Sequence, residues 1–254
     1  MIPHKRRLEI IKLLEEEGSS EVGHLAKLFK VTEVTIRKDL EKLEGEGFIT
    51  KEHGGAFLKM RPDRLLSLSM SNTENMDKKA RIGRRAASFV KNGDTVIIDS
   101  GTTTTELAKE IADRNRLTVI TTSLSVALHL GSNPGIEIHM TGGELKAPTM
   151  SLTGHQAAEF FANIHAEKLF LSAMGLSFKT GLTYTGISDV IVKKAMLKAA
   201  TKVYLLADST KIEKQSFASL GDLNLIHTLI TDSGIDPQHR ALLEKQKIEV
   251  IIAD

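Results

Sequence analysis

The sequence predicts an α/β chain in two parts: an N-terminal winged helix-turn-helix over residues 1–59 and a larger α/β body over 76–254 with a mostly parallel sheet, joined by a linker at 60–75. Three observations carry that prediction. Before Gly45, apolar residues recur at helical spacing in three separate runs. After Gly47 the period changes to two, on either side of a glycine pair. From Thr95 to Ala253 short apolar runs alternate with helical stretches, the pattern of strands covered on both faces.

Leu8, Ile10, Ile11 and Leu14 mark a first helix, which Gly18 ends. Ser19 or Ser20 is placed to cap a second helix carrying Val22, Leu25, Ala26 and Phe29. Lys30 and Val31 make a tight turn, and Thr32 caps a third helix whose buried stripe is Ile36, Leu40 and Leu43. That phase leaves Glu33, Thr35, Arg37, Lys38 and Glu41 on its other sides. In a helix-turn-helix the start of this helix enters the major groove. Thr35 and Arg37 are therefore expected at base edges, with Thr32 beside them and Lys38 on a phosphate. Phe48–Lys51, a turn at Glu52–Gly55 and Ala56–Leu58 read as a short hairpin, whose glycines permit the positive φ of its tip. Lys51 and His53 are placed to touch DNA backbone or minor groove. A three-helix protein-interaction domain with an added hairpin has the same helix spacing.

Met60–Asn75 mixes Pro62 with Ser, Asn and scattered Leu, the composition of a connector. Lys79–Val90 is helical, with Ile82, Ala86 and Phe89 in register. Strands are predicted at 95–99, 117–121, 136–141, 168–173, 202–207, 228–231 and 249–253, and a helix from about Ser123. Ligands of such sheets sit beyond the carboxyl ends of strands. There the first strand is followed by Asp99, Ser100, Gly101, Thr102, Thr103, Thr104 and Thr105, which open a helix. Hydroxyls and free helix N–H groups of that kind hold a phosphate without a cation, although Thr102 or Thr103 could equally be a plain helix cap. Later strand ends carry Thr121-Thr122-Ser123, Thr141-Gly142-Gly143, Gly175 and Asp208-Ser209-Thr210-Lys211, and this convergence of small polar residues points to a pocket. Lys211 is placed to counter a phosphate charge. Lys193 and Lys194, adjacent on a helix, read as a solvated face. His129, His139, His155 and His165 lack metal-ligand spacing, so no metal or cofactor is expected.

Composition bounds the rest. The 254 residues are 41% hydrophobic and 26% charged, ordinary for a soluble globular chain, and contain no cysteine. A disulfide framework and thiol chemistry are excluded, no apolar run approaches a membrane span, and a cytoplasmic protein is expected. The net charge of +2 is not that of a nucleic-acid binder, and residues 1–60 hold 11 Lys and Arg against 11 Asp and Glu. Placement carries the argument instead: His4, Lys5, Arg6 and Arg7 cluster, with Arg6 taken as a phosphate contact, and Arg37 adjoins Lys38.

TIRKDL (Thr35–Leu40) followed by HGGA (His53–Ala56) closely resembles the DeoR family of bacterial sugar-catabolism repressors, whose reading helix and wing carry these motifs. The body resembles that family's sensor domain in GDTVIIDSGTTTTELA, TVITTSLSVA, MTGGEL, SLTG, KLFLSAMGLSFKTGLT, VKKAM and ADSTK. The resemblance implies a fold similar to ribose phosphate isomerase and a phosphorylated sugar as effector. Ser100 to Thr104 would hold its phosphate, and Asp99, Thr122, Gly142, Gly143, Lys193 and Lys211 would line the sugar. Many members carry Asn where this chain has Thr122.

It also implies double-stranded operator DNA as partner and at least a homodimer, whose half-sites lie about 34–36 Å or a multiple apart. An isomerase would need a carboxylate base and a cation beside the enediolate. The matching segment, Ser172–Ser177, has no carboxylate, so a repressor relieved by its effector is expected rather than an enzyme. An active isomerase carrying a DNA domain, or an activator with a vestigial pocket, are the alternatives.

Overall fold

A computed structural model describes residues 3–17, 19–45, 48–52, 55–58 and 74–254. The chain divides into two compact units, Met1–Arg64 and Leu65–Asp254. Most of the predicted linker lies outside the described residues.

In the first unit, the head, α1 (Pro3–Glu17), β1 (Ser19–Glu21), α2 (Val22–Phe29), α3 (Glu33–Gly45), β2 (Ile49–Glu52) and β3 (Gly55–Leu58) follow in order. Their core is Ile10, Leu14, Val22, Leu25, Ala26, Ile36, Leu40, Leu43, Ile49 and Ala56. Ile10 and Leu14 set the buried face of α1, and Leu8, expected in that stripe, is exposed. The turn between α2 and α3 closes on Lys30 at φ 52°, whose N–H reaches the carbonyl of Lys27. Thr32 caps α3, accepting from the Thr35 N–H at 3.3 Å.

One element differs from expectation. Ser19 and Ser20 do not cap α2; they form β1, which pairs with β3 through Ser19↔Phe57 and Ser20↔Ala56. Strand pairing uses backbone groups that would otherwise stay open along the edge of the wing. The hairpin pairs Glu52 with Gly55, and His53 and Gly54 of the expected turn lie outside the described residues.

The second unit, the body, opens with α4 (Met76–Ala87) and runs through β4 (Thr95–Ile98), α5 (Thr102–Glu110), β5 (Leu117–Thr121), α6 (Leu124–Leu130) and β6 (Ile136–Met140). A hairpin of β7 (Glu144–Lys146) and β8 (Ser151–Thr153) follows, then α7 (His155–Glu159), β9 (Ala166–Ser172), β10 (Gly175–Ser177), β11 (Gly181–Tyr184) and α8 (Ile187–Ala199). The chain closes with β12 (Ala200–Leu206), β13 (Ala218–Gly221), β14 (Thr228–Asp232), α9 (Pro237–Lys245) and β15 (Glu249–Ala253).

The seven predicted strands form one parallel sheet in the order β15-β14-β12-β9-β4-β5-β6. Alternation along each strand feeds two layers. Val96, Ile98, Phe170 and Ile230 pack with α4, α5 and α6, while Ile97, Leu169, Leu171 and Leu229 pack with α8 and α9. From β4 the chain winds outward through β5 and β6, then returns to β9 on the other side, so strand order reverses between β4 and β9. A small antiparallel sheet, β10-β11-β13, stands beside the main one. Among the described residues no helix is long and apolar enough to cross a membrane.

Candidate functional site

In the head, α3 has two separate faces. Ile36, Asp39, Leu40 and Leu43 are buried, while Val34, Arg37, Lys38 and Glu41 are exposed on the opposite side. Thr35 lies on the flank, half-buried, with its hydroxyl 2.9 Å from that of Thr32. Arg37 reaches Glu33 at 3.3 Å through an exposed pair that leaves the guanidinium accessible. Lys51 meets Glu44 at 2.9 Å, tying the wing to the end of α3. His53 lies outside the described residues.

Arg6 stands elsewhere than the sequence suggested. It is 5% exposed and its Nε donates to Asp39 Oδ2 at 2.6 Å, with Arg7 Nη1 at 3.4 Å from Oδ1. Four residues before Ile10, Arg6 shares the inward face of α1, which removes it from the phosphate-binding surface and makes it a strut beneath α3.

In the body, a cavity of about 410 Å³ opens at the carboxyl end of the sheet, beside the β4–β9 reversal. A topological switch point is where such sheets leave a crevice. Of the expected effector residues, Ser100, Gly101, Thr102, Thr103, Lys193 and Lys211 line it. Gly101, the residue before α5, makes no side-chain cap bond, so the first N–H groups of that helix have no side-chain cap. A Cβ on Gly101 would lie 2.8 Å from the Ser172 Cβ, so only glycine lets the two strand ends approach this closely.

Asp99, expected to line the sugar, does not reach the wall but lies behind it. Fully buried, it meets Lys193 Nζ at 2.7 Å through Oδ1 and accepts at Oδ2 from the Ser172 N–H and hydroxyl, at 3.0 and 2.9 Å. Lys193 is 5% exposed and lies 4.9 Å from the centre of the Tyr184 ring; Lys194 is the lysine that faces solvent. The solvated-face reading therefore holds for one of the two. Burial first, then Asp99 and Asp189, raises the Tyr184 phenol well above its ordinary pKa, and its hydroxyl donates to the Ser172 carbonyl.

The remaining expected residues do not reach the wall. Thr104 is fully buried and its hydroxyl bonds the carbonyls of Asp99 and Gly101, which shapes the loop from behind. Thr122 is buried beside β8, its carbonyl accepting from the Leu152 N–H. Gly142 and Gly143 lead into the β7–β8 hairpin, where Gly143 adopts φ +118° and a Cβ would meet the Thr153 carbonyl at 2.6 Å.

Sequence reasoning missed several wall residues. Lys146 meets Asp189 at 2.6 Å and Thr185 at 3.1 Å, and Thr149 and Ser172 add hydroxyls beside Ser123, which the strand-end pattern had named. Ser125 contributes a buried hydroxyl with no hydrogen-bond partner among the described residues. Lys79, 2% exposed, projects from α4, and burial draws its pKa below the usual lysine value against the pull of Asp208. Four lysines thus line a cavity that also holds a helix N-terminus, an arrangement suited to an anion carrying hydroxyls.

Two carboxylates outside the wall set an acid limit on stability. Burial alone would raise Asp232, but the Ser209 N–H, Lys78, the Ser209 hydroxyl and the Gly234 N–H bring it below its ordinary value. Asp94 is likewise lowered, burial being outweighed by Lys168 and the Lys91 N–H. Groups with depressed folded pKa values stabilise the fold above their unfolded pKa, about 4, and lose that contribution as pH falls through the folded value. The body's melting temperature should therefore drop as pH falls below about 4, less steeply in Asp232→Asn. A slope unchanged by that substitution would contradict the assignment.

Comparison with known proteins agrees with both units. The model of the DeoR-like helix-turn-helix domain matches residues 6–60, and that of the DeoR C terminal sensor domain matches 74–233. The HTH-type transcriptional regulator GolR of Listeria innocua is 37% identical over 245 residues, covering 96% of this chain and 95% of the relative. The uncharacterized regulator YulB of Bacillus subtilis is 34% identical, at 98% and 96% coverage. The HTH-type transcriptional repressor GlcR of the same organism is 32% identical, at 100% and 98%. Among solved structures, ribose 5-phosphate isomerase A of Methanocaldococcus jannaschii aligns over 55% of each chain at 18% identity, with a TM-score of 0.41. A DeoR-type head, a DeoR sensor body and full-length relatives place this chain in the DeoR family of DNA-binding transcriptional regulators.

Proposed function

We propose that this chain is a cytoplasmic, at least dimeric repressor of a sugar-catabolism operon, and that a phosphorylated sugar bound in the body releases the operator. Residues 1–59 read DNA, 60–75 connect, and 76–254 bind the effector. The observation that carries the reading is the cavity, where the N-terminus of α5 and Lys79, Lys193 and Lys211 converge with a wall of hydroxyls. A phosphate suits the helix terminus and the cations, and sugar hydroxyls suit the serines and threonines. The name of GlcR, a repressor, supports the direction of regulation.

We take the cavity to bind without turnover. Ser172–Ser177 carries no carboxylate, and Asp189, which does face the cavity, is held by Lys146. An enzymatic reading would require isomerisation of aldose or ketose phosphates by the full-length protein.

A panel of sugar mono- and bisphosphates tests the proposal by thermal shift. One member at 100 times its Kd should stabilise the body by about 2.7 kcal/mol. The same compound should weaken operator binding roughly 5- to 150-fold, and its unphosphorylated parent should do neither. Thr103→Val with Lys211→Ala should abolish both responses and leave operator affinity intact. No shift across the panel would sink the effector reading.

A further inference from the structure

On the outward face of α3 every neighbour of Val34 is charged or polar, yet Val34 itself is 64% exposed. It stands opposite Ile36 and Leu40, so it points away from the core and is not part of the hydrophobic cluster of the head among the described residues. Thr35, whose sequence position suggested base contact, is turned to the flank and engaged with Thr32. Val34 also sits in the first turn of the helix, the part of a helix-turn-helix reading helix that lies deepest in the major groove.

The floor of that groove offers hydrogen-bonding groups at every base pair and one apolar group, the C5-methyl of thymine. A β-branched aliphatic side chain has no hydrogen bond to exchange there. Placed over a thymine it buries a methyl against a methyl, and over any other base it desolvates polar edges without return. We infer that Val34 is a specificity-determining residue, and that it selects thymine at one position of each operator half-site through contact with the C5-methyl. Arg37 and Lys38 flank it with charge for guanine edges and phosphates, while Val34 supplies discrimination that charge cannot. The inference rests on the DNA-reading head and is independent of the effector.

Deoxyuridine, which differs from thymidine only by that methyl, provides the test. Full-length protein is used to select duplexes from a random pool, and each fixed thymine of the selected site is replaced singly by deoxyuridine. One position per half-site should then cost the wild type about fourfold in affinity, the value of one methyl removed from contact. Val34→Ala should lose a similar factor on the thymine duplex and show no further loss on the deoxyuridine duplex. Val34→Thr, which keeps a methyl, should retain the deoxyuridine penalty, and both variants should bind unselected DNA like the wild type.

The assignment is overturned if the selected sites contain no fixed thymine, or if Val34→Ala keeps the full deoxyuridine penalty. An equal loss by Val34→Ala on selected and unselected DNA would also overturn it, placing Val34 in the fold instead of in base reading. Any of these outcomes leaves the repressor proposal standing, since that proposal fails on the phosphosugar panel.

Discussion

Asp39→Ala is expected to unfold the head and abolish operator binding while the body melts as before. The substitution removes the carboxylate against which the Arg6 guanidinium is buried, at 2.6 Å and with both side chains about 5% exposed. Breaking a buried ion pair by deleting one partner costs about 3–5 kcal/mol. Whole domains hold only about 5–15 kcal/mol, and a unit this small lies at the low end. Asp39→Asn keeps an acceptor for Arg6 and should fall between. Arg6→Ala should be milder than Asp39→Ala, since Arg7 already lies 3.4 Å from the same carboxylate. Circular dichroism of the full chain and a binding titration decide the matter, and wild-type affinity in Asp39→Ala would refute the strut.

The second large effect belongs to the Asp99–Lys193 pair behind the cavity wall. Asp99→Ala leaves the Lys193 ammonium, 6% exposed, without its carboxylate and takes an acceptor from both the Ser172 N–H and hydroxyl. The body should lose about 3–5 kcal/mol, read from the denaturant midpoint. Adding Lys193→Met should restore most of that stability, because the pair is then replaced by apolar groups instead of broken. Stability and sensing part company at this point: the double variant should stay deaf to phosphosugar although it folds. A double variant as unstable as Asp99→Ala would show that the hydrogen bonds to Ser172 matter more than the ion pair.

The parallel sheet was legible because a strand covered on both faces must be apolar along its length, and β4, β5, β9, β12, β14 and β15 all read that way. The short strands were not. Ser19–Glu21, Glu144–Lys146 and Gly175–Ser177 are three-residue segments with at most one large apolar side chain, too short to show a period. Arg6 carried a readable signal in its spacing from Ile10 and Leu14, masked by its place in a run of basic residues.

Lys193 likewise lies four residues after the buried Asp189 and three before Met196, the spacing of an inward stripe. Lys79 and Lys146 had no such signal. They become wall residues only through contacts made by the folded sheet, as when Lys146 meets Asp189, 43 positions away. Strand ends could be listed from the sequence, but the order of strands, and hence the place of the crevice, could not.

The separation of α3 into two faces has a consequence for how such regulators diverge. Everything that fixes the helix in place, from Ile36 to Leu43 and the Arg6 strut, lies on one side, and everything offered to a groove lies on the other. Substitutions at 34, 37, 38 and 41 therefore leave folding nearly untouched while altering the sequence that is read. A duplicated copy of this gene could drift to a new operator in single steps, each intermediate still a folded protein.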